Sequence, residues 1–235
     1  LDASDLYHAE GQYNFSHLTG KYFDLIAGAS FKRYSLNSEG TLFADSAGRI
    51  NIDEIGAYAQ VSKSFFNDKL KISAAGRFDK NTNFEGRFTP RFTAVYKVKE
   101  NHNLRASYQT AYRFPTTQNQ YINLPLGTKS NMLIGGLPAL QTFYNFKTNL
   151  VWDSATAFAA LRAGTPGALT QANSYNFKEF KPEVVNSFEI GYRGVIAKRL
   201  LVDVYAFYAI YNNFISTAIL IQNPGTANQR QFGMP

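Results

Sequence analysis

The stretch FKPEVVNSFEIGYRG, Phe180–Gly194, decides the fold. One alternate set reads Glu183, Val185, Ser187, Glu189, Gly191, Arg193; the other reads Val184, Asn186, Phe188, Ile190, Tyr192. Two-residue alternation means an extended strand with a polar face and an apolar face. A soluble sandwich turns the apolar face inward to a core, whereas a membrane barrel turns it outward to lipid.

Composition narrows the choice. The 235-residue chain has no cysteine, which excludes disulfides, thiolate metal sites and a cysteine nucleophile. Three histidines (His8, His17, His102) leave little material for catalysis. Tyr and Phe are abundant, 15 and 20 residues, against one Trp. Aromatics favour strands and form the interfacial girdles of membrane barrels. The net charge of +7 comes from Arg and Lys scattered along strands and turns. Without a basic block or a nucleic-acid motif, no nucleic-acid partner is expected. No apolar run is long enough for a spanning helix, but a spanning strand needs only about 9–11 residues, every second one apolar. LDASDLYHAE, residues 1–10, has neither the basic start nor the apolar core of a signal peptide, so the chain reads as mature or as lacking its true start.

Eight strands are expected. They begin near Leu6, Tyr22, Asp53, Lys69, Thr89, Asn103, Glu183 and Arg199, the last being apolar on both faces apart from Asp203. Their connections alternate in length. Residues 16–20 are a short link, about 35–52 a long one, 65–69 short, 80–86 intermediate, 98–103 short, about 114–182 very long and 196–198 short, and the chain then ends in a further loop. Short turns on one side and long loops on the other mark an outer-membrane barrel. Within the longest loop, Asp153 or Ser154 is a candidate N-cap for a helix stopped at Gly164, and residues 113–127 read as turns or a short helix begun at Pro115. This parity puts both chain ends on the long-loop side, so the chain reads as an internal piece of a larger barrel.

The assembled text resembles the barrel of TonB-dependent outer-membrane receptors, most closely those of Bacteroidetes-type bacteria. EIGAYAQVSKSF, the Pro90-Arg91 pair, LRASYQTAYRFPT (104–116), KPE followed by E-x-G-Y, and LLVDVYAFYAIYNNFI (200–215) carry it. The resemblance implies an all-β, antiparallel transmembrane barrel of about twenty-two strands, of which residues 1–235 supply about eight, with short periplasmic turns and long extracellular loops. It also implies an N-terminal plug, absent from this text, and import of a scarce nutrient (siderophore, cobalamin, glycan or peptide) driven through TonB. The implied partners are outer-membrane lipid, the TonB complex through the plug region and a small nutrient ligand, with a surface lipoprotein also compatible. The implied location is the bacterial outer membrane. A barrel that binds or assembles without transport, and a secreted β-sandwich adhesin, are the alternatives.

Candidate residues follow from the faces. Arg77, Arg113, Glu183 and Gln109 are candidates for ligand contact in the lumen or at its mouth. Arg91, Arg105, Glu189 and Arg193 are candidates for facing the plug. Glu189 and Arg193 are too far apart along one strand to pair, so cross-strand partners are expected. Pro90 is expected to open a strand. Tyr96, Tyr108, Tyr112, Tyr192 and Phe78 are expected at membrane interfaces. No catalytic residue, metal ligand or cofactor is expected; HAE at 8–10 lacks the spacing of a zinc site. An outer-membrane hydrolase is the enzyme alternative, and nothing resembling a nucleophile elbow supports it.

Overall fold

A computed structural model describes residues 2–20 and 22–235, without the side chains of Thr128 and Lys129. Eight long strands form one antiparallel sheet. They are β1 (Asp5–Asn14), β2 (Asp24–Leu36), β3 (Ile50–Phe65), β4 (Leu70–Asn81), β5 (Phe84–Lys99), β6 (His102–Arg113), β10 (Glu183–Ile196) and β11 (Leu200–Asn212), paired in that order. Every neighbour in this wall is thus the next long strand along the chain. β3 and β5 each run 16 residues, beyond the ~9–11 that cross a bilayer, so the wall projects past the apolar zone.

The register puts cross-strand partners of one chemistry together. Glu183, Ser187, Glu189 and Arg193 lie opposite Arg113, Gln109, Ser107 and Asn103. On the other face Phe188, Ile190 and Tyr192 lie opposite Tyr108, Ala106 and Leu104. Nothing covers that apolar face: Phe88, Phe92, Phe188, Val204 and Tyr208 are exposed, and Ile190 is 66% exposed. A sandwich would have buried these residues against a second sheet, so the sandwich reading is overturned.

Turns at the short-link end are tight. Ala197 and Lys198, both at positive φ, join β10 to β11. Phe66, Asn67 and Asp68, also at positive φ, join β3 to β4. The link expected at 80–86 contracts to Thr82–Asn83, because β4 and β5 pair as far as Asn81 and Phe84. One connection at the long-loop end is therefore as short as those opposite.

The long loop holds more structure than a helix and turns. It contains α2 (Thr117–Tyr121), β7 (Asn123–Leu126), β8 (Thr128–Ile134), α3 (Pro138–Phe143), β9 (Val151–Asp153) and α4 (Ser154–Arg162). α1 (Ser16–Thr19) lies in the β1–β2 link. The terminal segment read as a loop supplies β12 (Ala218–Gln222) and β13 (Arg230–Met234). Strands β7, β8, β13, β12 and β9 pair in that order into a second, smaller sheet, with β8 and β13 parallel. Its core is Met132, Ile134, Phe146, Val151, Leu220, Phe232 and Met234. Asp153 caps α4 by accepting from the Ala155 amide, as its position before an apolar run predicts. α2 starts after a Thr116 cap, two residues beyond Pro115.

The first long loop and the crown of the second hold each other. Leu36, Phe43 and Ile52 bury together with Tyr121 packed on them. The Ala44 amide donates to Tyr121 O and the Asn123 amide to Leu42 O.

Candidate functional site

The polar face of the wall is a ladder of paired charges. Arg77 sits one strand from Tyr58 and stacks over its ring at 5.6 Å. Its guanidinium meets Asp79 at 2.7 Å and donates to Ser30 Oγ at 3.2 Å. Arg105 reaches Asp203 at 3.3 Å across two strands, with its Nε 3.2 Å from Glu189 but not aligned for a hydrogen bond. It lies over the Tyr205 ring at 5.5 Å. Gly191 makes room for it, since a Cβ there would come within 2.7 Å of Arg105 Nε. Glu189 thus finds its partner across strands.

Two candidates are left over. Arg91 and Arg193 are exposed and form no ion pair among the described residues. Asp203 lies directly opposite Arg193 but is drawn to Arg105 instead. Gln109, half-buried, is flanked by Arg91 and Ser187. The row of arginines on β4, β5 and β6 is therefore neutralised at both ends and free at its middle.

At the mouth, Arg113 and Glu183 pair with each other at the last register position of β6 and β10. The second Glu183 oxygen accepts from the Ile215 amide at 2.9 Å. Glu183 is 13% exposed and Arg113 is 69% exposed, so only the guanidinium is open to a ligand.

Sequence reasoning missed what happens around Pro90. β5 runs from Phe84, so Pro90 lies inside the strand and does not open it. What begins at this point is the ladder with β6, whose last upper pair is Arg91–Gln109. Proline has no N–H to give that ladder. Above it, Phe84 and Arg87–Pro90 pair with β4 alone, with a bulge at Glu85–Gly86, and Thr110–Arg113 of β6 pair with β10 alone. Tyr112 fills the parting. Its hydroxyl donates to Glu85 O at 3.2 Å, its ring packs on Phe114 at 4.8 Å, and Arg87 sits over it at 5.7 Å. The expectation of a membrane-interface Tyr112 is corrected: the parted strands draw the ring inward.

Cavities flank this residue on two sides. One, of about 510 Å3, lies between the Thr82–Arg87 segment and Glu179–Pro182. Another, about 190 Å3, is lined by polar-face residues including Lys32, Glu54, Arg77 and Asp79. Tyr112 borders both. A third cavity, about 550 Å3, lies beyond Phe180 against Tyr175, Phe177, Lys178 and Phe214. Phe180 separates the larger two, wedged against Phe84 at 6.0 Å. Among the described residues no cluster of three His, Cys, Asp or Glu is placed to hold a metal, and no helix is long and apolar enough to cross a membrane, which says nothing of strands.

A single open sheet with an ion-paired polar face, an uncovered apolar face and a folded crown at one end is the wall of a transmembrane β-barrel. The sequence profile described as "TonB dependent receptor-like, beta-barrel" matches residues 2–233, and the chain belongs to that family. The siderophore receptor PirA from Pseudomonas aeruginosa superposes with a TM-score of 0.60 at 13% identity, over 94% of this chain and 36% of that one. A mutant of the ferric enterobactin receptor PfeA from Pseudomonas aeruginosa, solved in complex with enterobactin, gives 0.54 at 12% identity over 93% and 32%. The copper transporter OprC gives 0.52 at 10% identity over 99% and 34%. The chain thus spans about a third of the length of these structures. No curated protein matches it.

Proposed function

We propose that this chain is part of the barrel of an outer-membrane receptor that binds a scarce nutrient outside the cell and imports it with energy supplied through TonB. The two-faced wall carries the reading: a face whose carboxylates are taken up by Arg77, Arg105 and Arg113, backed by an uncovered apolar face. Family membership and the siderophore, enterobactin and copper proteins of like fold support it. The apolar face meets outer-membrane lipid, the polar face the lumen, and the crown the outside of the cell. Residues 1–235 act as one barrel segment; a siderophore, cobalamin, glycan or peptide is the cargo class.

In this reading Arg91 and Arg193 face the plug, where their uncompensated charge is complementary to acidic groups. Arg105 and Glu189 hold the lumen ladder beneath them. Arg113 and Gln109, with the cavities above, contribute to ligand contact; Arg77 and Glu183 set the shape of that region through their partners.

Cysteine labelling of the intact receptor tests the orientation. Thr82→Cys, in the turn beside the crown, reacts with a membrane-impermeant maleimide on whole cells. Asp68→Cys reacts only after the outer membrane is permeabilised. The reverse pattern overturns the orientation. Energy coupling is tested by growth on candidate nutrients: loss of the receptor and loss of TonB give the same defect, and uptake that persists without TonB excludes coupling.

A further inference from the structure

We propose that the parting between β5 and β6 is a binding site for an extended peptide, which adds as a strand along the upper edge of β5. This rests on the reading of the crown as the outer face of a receptor and names the substrate class of that site.

The argument starts from backbone chemistry. Alternate residues of a strand turn their N–H and C=O groups toward each neighbour. Along Arg87–Pro90 and at Phe84 the β4 side is paired, Glu85 and Gly86 bulge out of that ladder, and the whole stretch has no ladder with β6. Such an edge is a template for another extended chain. Only Glu85 O is engaged from that side by the described side chains, and its donor is the Tyr112 hydroxyl. A compact chelate or a sugar does not supply the alternating donors and acceptors that this edge presents; a polypeptide does.

Space and charge agree. The cavity beside the edge, about 510 Å3, is lined by Phe84, Glu85, Gly86 and Arg87 on one side and by Glu179–Pro182 on the other. Its volume falls within the ~300–1,000 Å3 typical of ligand sites. Lys80 and Arg87 line it and form no ion pair among the described residues; Glu85 is likewise unpaired there, and Glu179 is held by Lys181 at 2.7 Å, which leaves one cation in excess. The excess positive charge favours acidic side chains on the incoming strand. Tyr112 forms the floor toward the Arg77–Asp79 cavity, so a peptide that takes over the Glu85 carbonyl frees the ring that separates the two spaces.

The test uses the purified intact receptor and a synthetic octapeptide of alternating Val and Asp. A strand bound at an edge uses the N–H groups of alternate residues only. N-methylation in one phase should weaken binding at least tenfold, and in the other phase leave it within twofold. Arg87→Glu should reduce affinity for the Val/Asp peptide about tenfold and raise it for a Val/Lys peptide. Equal effects of both methylation phases, or no binding of the unmethylated peptide, overturns the proposal. Whole-cell labelling of Thr82→Cys separates the two readings: an unlabelled residue overturns the receptor orientation, whereas a labelled residue without phase-dependent binding overturns the peptide site alone.

Discussion

Single residues show how both solvents are managed. Ile190 lies at the middle of β10, 66% exposed on the apolar face. A cation at mid-bilayer depth on a lipid-facing strand costs about 2–4 kcal/mol. Ile190→Arg is therefore expected to lower assembly into the outer membrane, measured as the heat-modifiable folded fraction. Glu189→Leu, one residue away on the lumen face, leaves that fraction largely intact. Asp45 is a contrasting case in water, nearly buried in the first long loop. Burial pushes its carboxyl up, but hydrogen bonds from the Ser38 and Gly40 amides and the Ser38 hydroxyl outweigh this and hold it below the usual range. The folded value is the lower one, so this stabilisation is present above the carboxyl's unfolded value near ~4 and is lost as pH falls through the folded value. Asp45→Asn should remove that acid dependence and cost about 1.5–3 kcal/mol. Hydrogen exchange of amides 38–45, corrected for intrinsic rates, measures both; an unchanged pH dependence in the variant contradicts the assignment.

Elements differ in how openly their causes are written. The wall strands were legible because period-two alternation persists for ten residues or more, and lipid and lumen demand opposite chemistry of neighbouring positions. The partner of Glu189 was legible only as a strand away, since register fixes it and sequence spacing does not. Short strands such as β9 and β12 were not legible: two to four apolar residues in a row read equally as loop or core. Tyr112 was misplaced for a different reason. Its alternation is intact, but Pro90 parts the two strands beneath it, and no local pattern on β6 records an event on β5. The β10–β11 turn carries its own test. Ala197 and Lys198 both occupy positive φ, at 49° and 57°, where a Cβ is disfavoured by about 1–2 kcal/mol per residue. Replacing the pair by Asn-Gly, the favoured sequence for such turns, should stabilise the hairpin by about 1 kcal/mol, read as slower unfolding. Gly136 carries the opposite expectation. A Cβ there would lie 2.8 Å from the Phe180 ring, so Gly136→Val should displace the wedge and change ligand affinity while the wall still assembles.

At the scale of the whole molecule, an uncovered wall sheet and a crown with its own buried cluster are joined by an apolar contact at Tyr121 and by a small polar latch. The wall depends on ladder pairing and on the solvents at its faces; the crown depends on its own buried cluster. Between them stands Asn83, in the β4–β5 turn, donating to Gln120 Oε1 at 2.7 Å and accepting from the Tyr121 hydroxyl at 3.0 Å. Gln120, almost wholly buried, in turn donates to Pro115 O at 2.6 Å. Its Oε1 and Nε2 are thus both engaged, one by the wall and one by the start of the long loop. Gln120→Ala leaves Pro115 O and the Asn83 amide without their partner, at about 1–3 kcal/mol for each buried group left unsatisfied. The loss falls on the joint and not on the wall ladders or the crown core. Hydrogen exchange in the intact receptor should therefore rise across residues 114–126 and in the 37–49 loop packed against Tyr121, while β3, β4 and β10 keep their protection. A uniform rise across the wall would mean that the crown and the wall open as one unit, and that the latch is not where they separate.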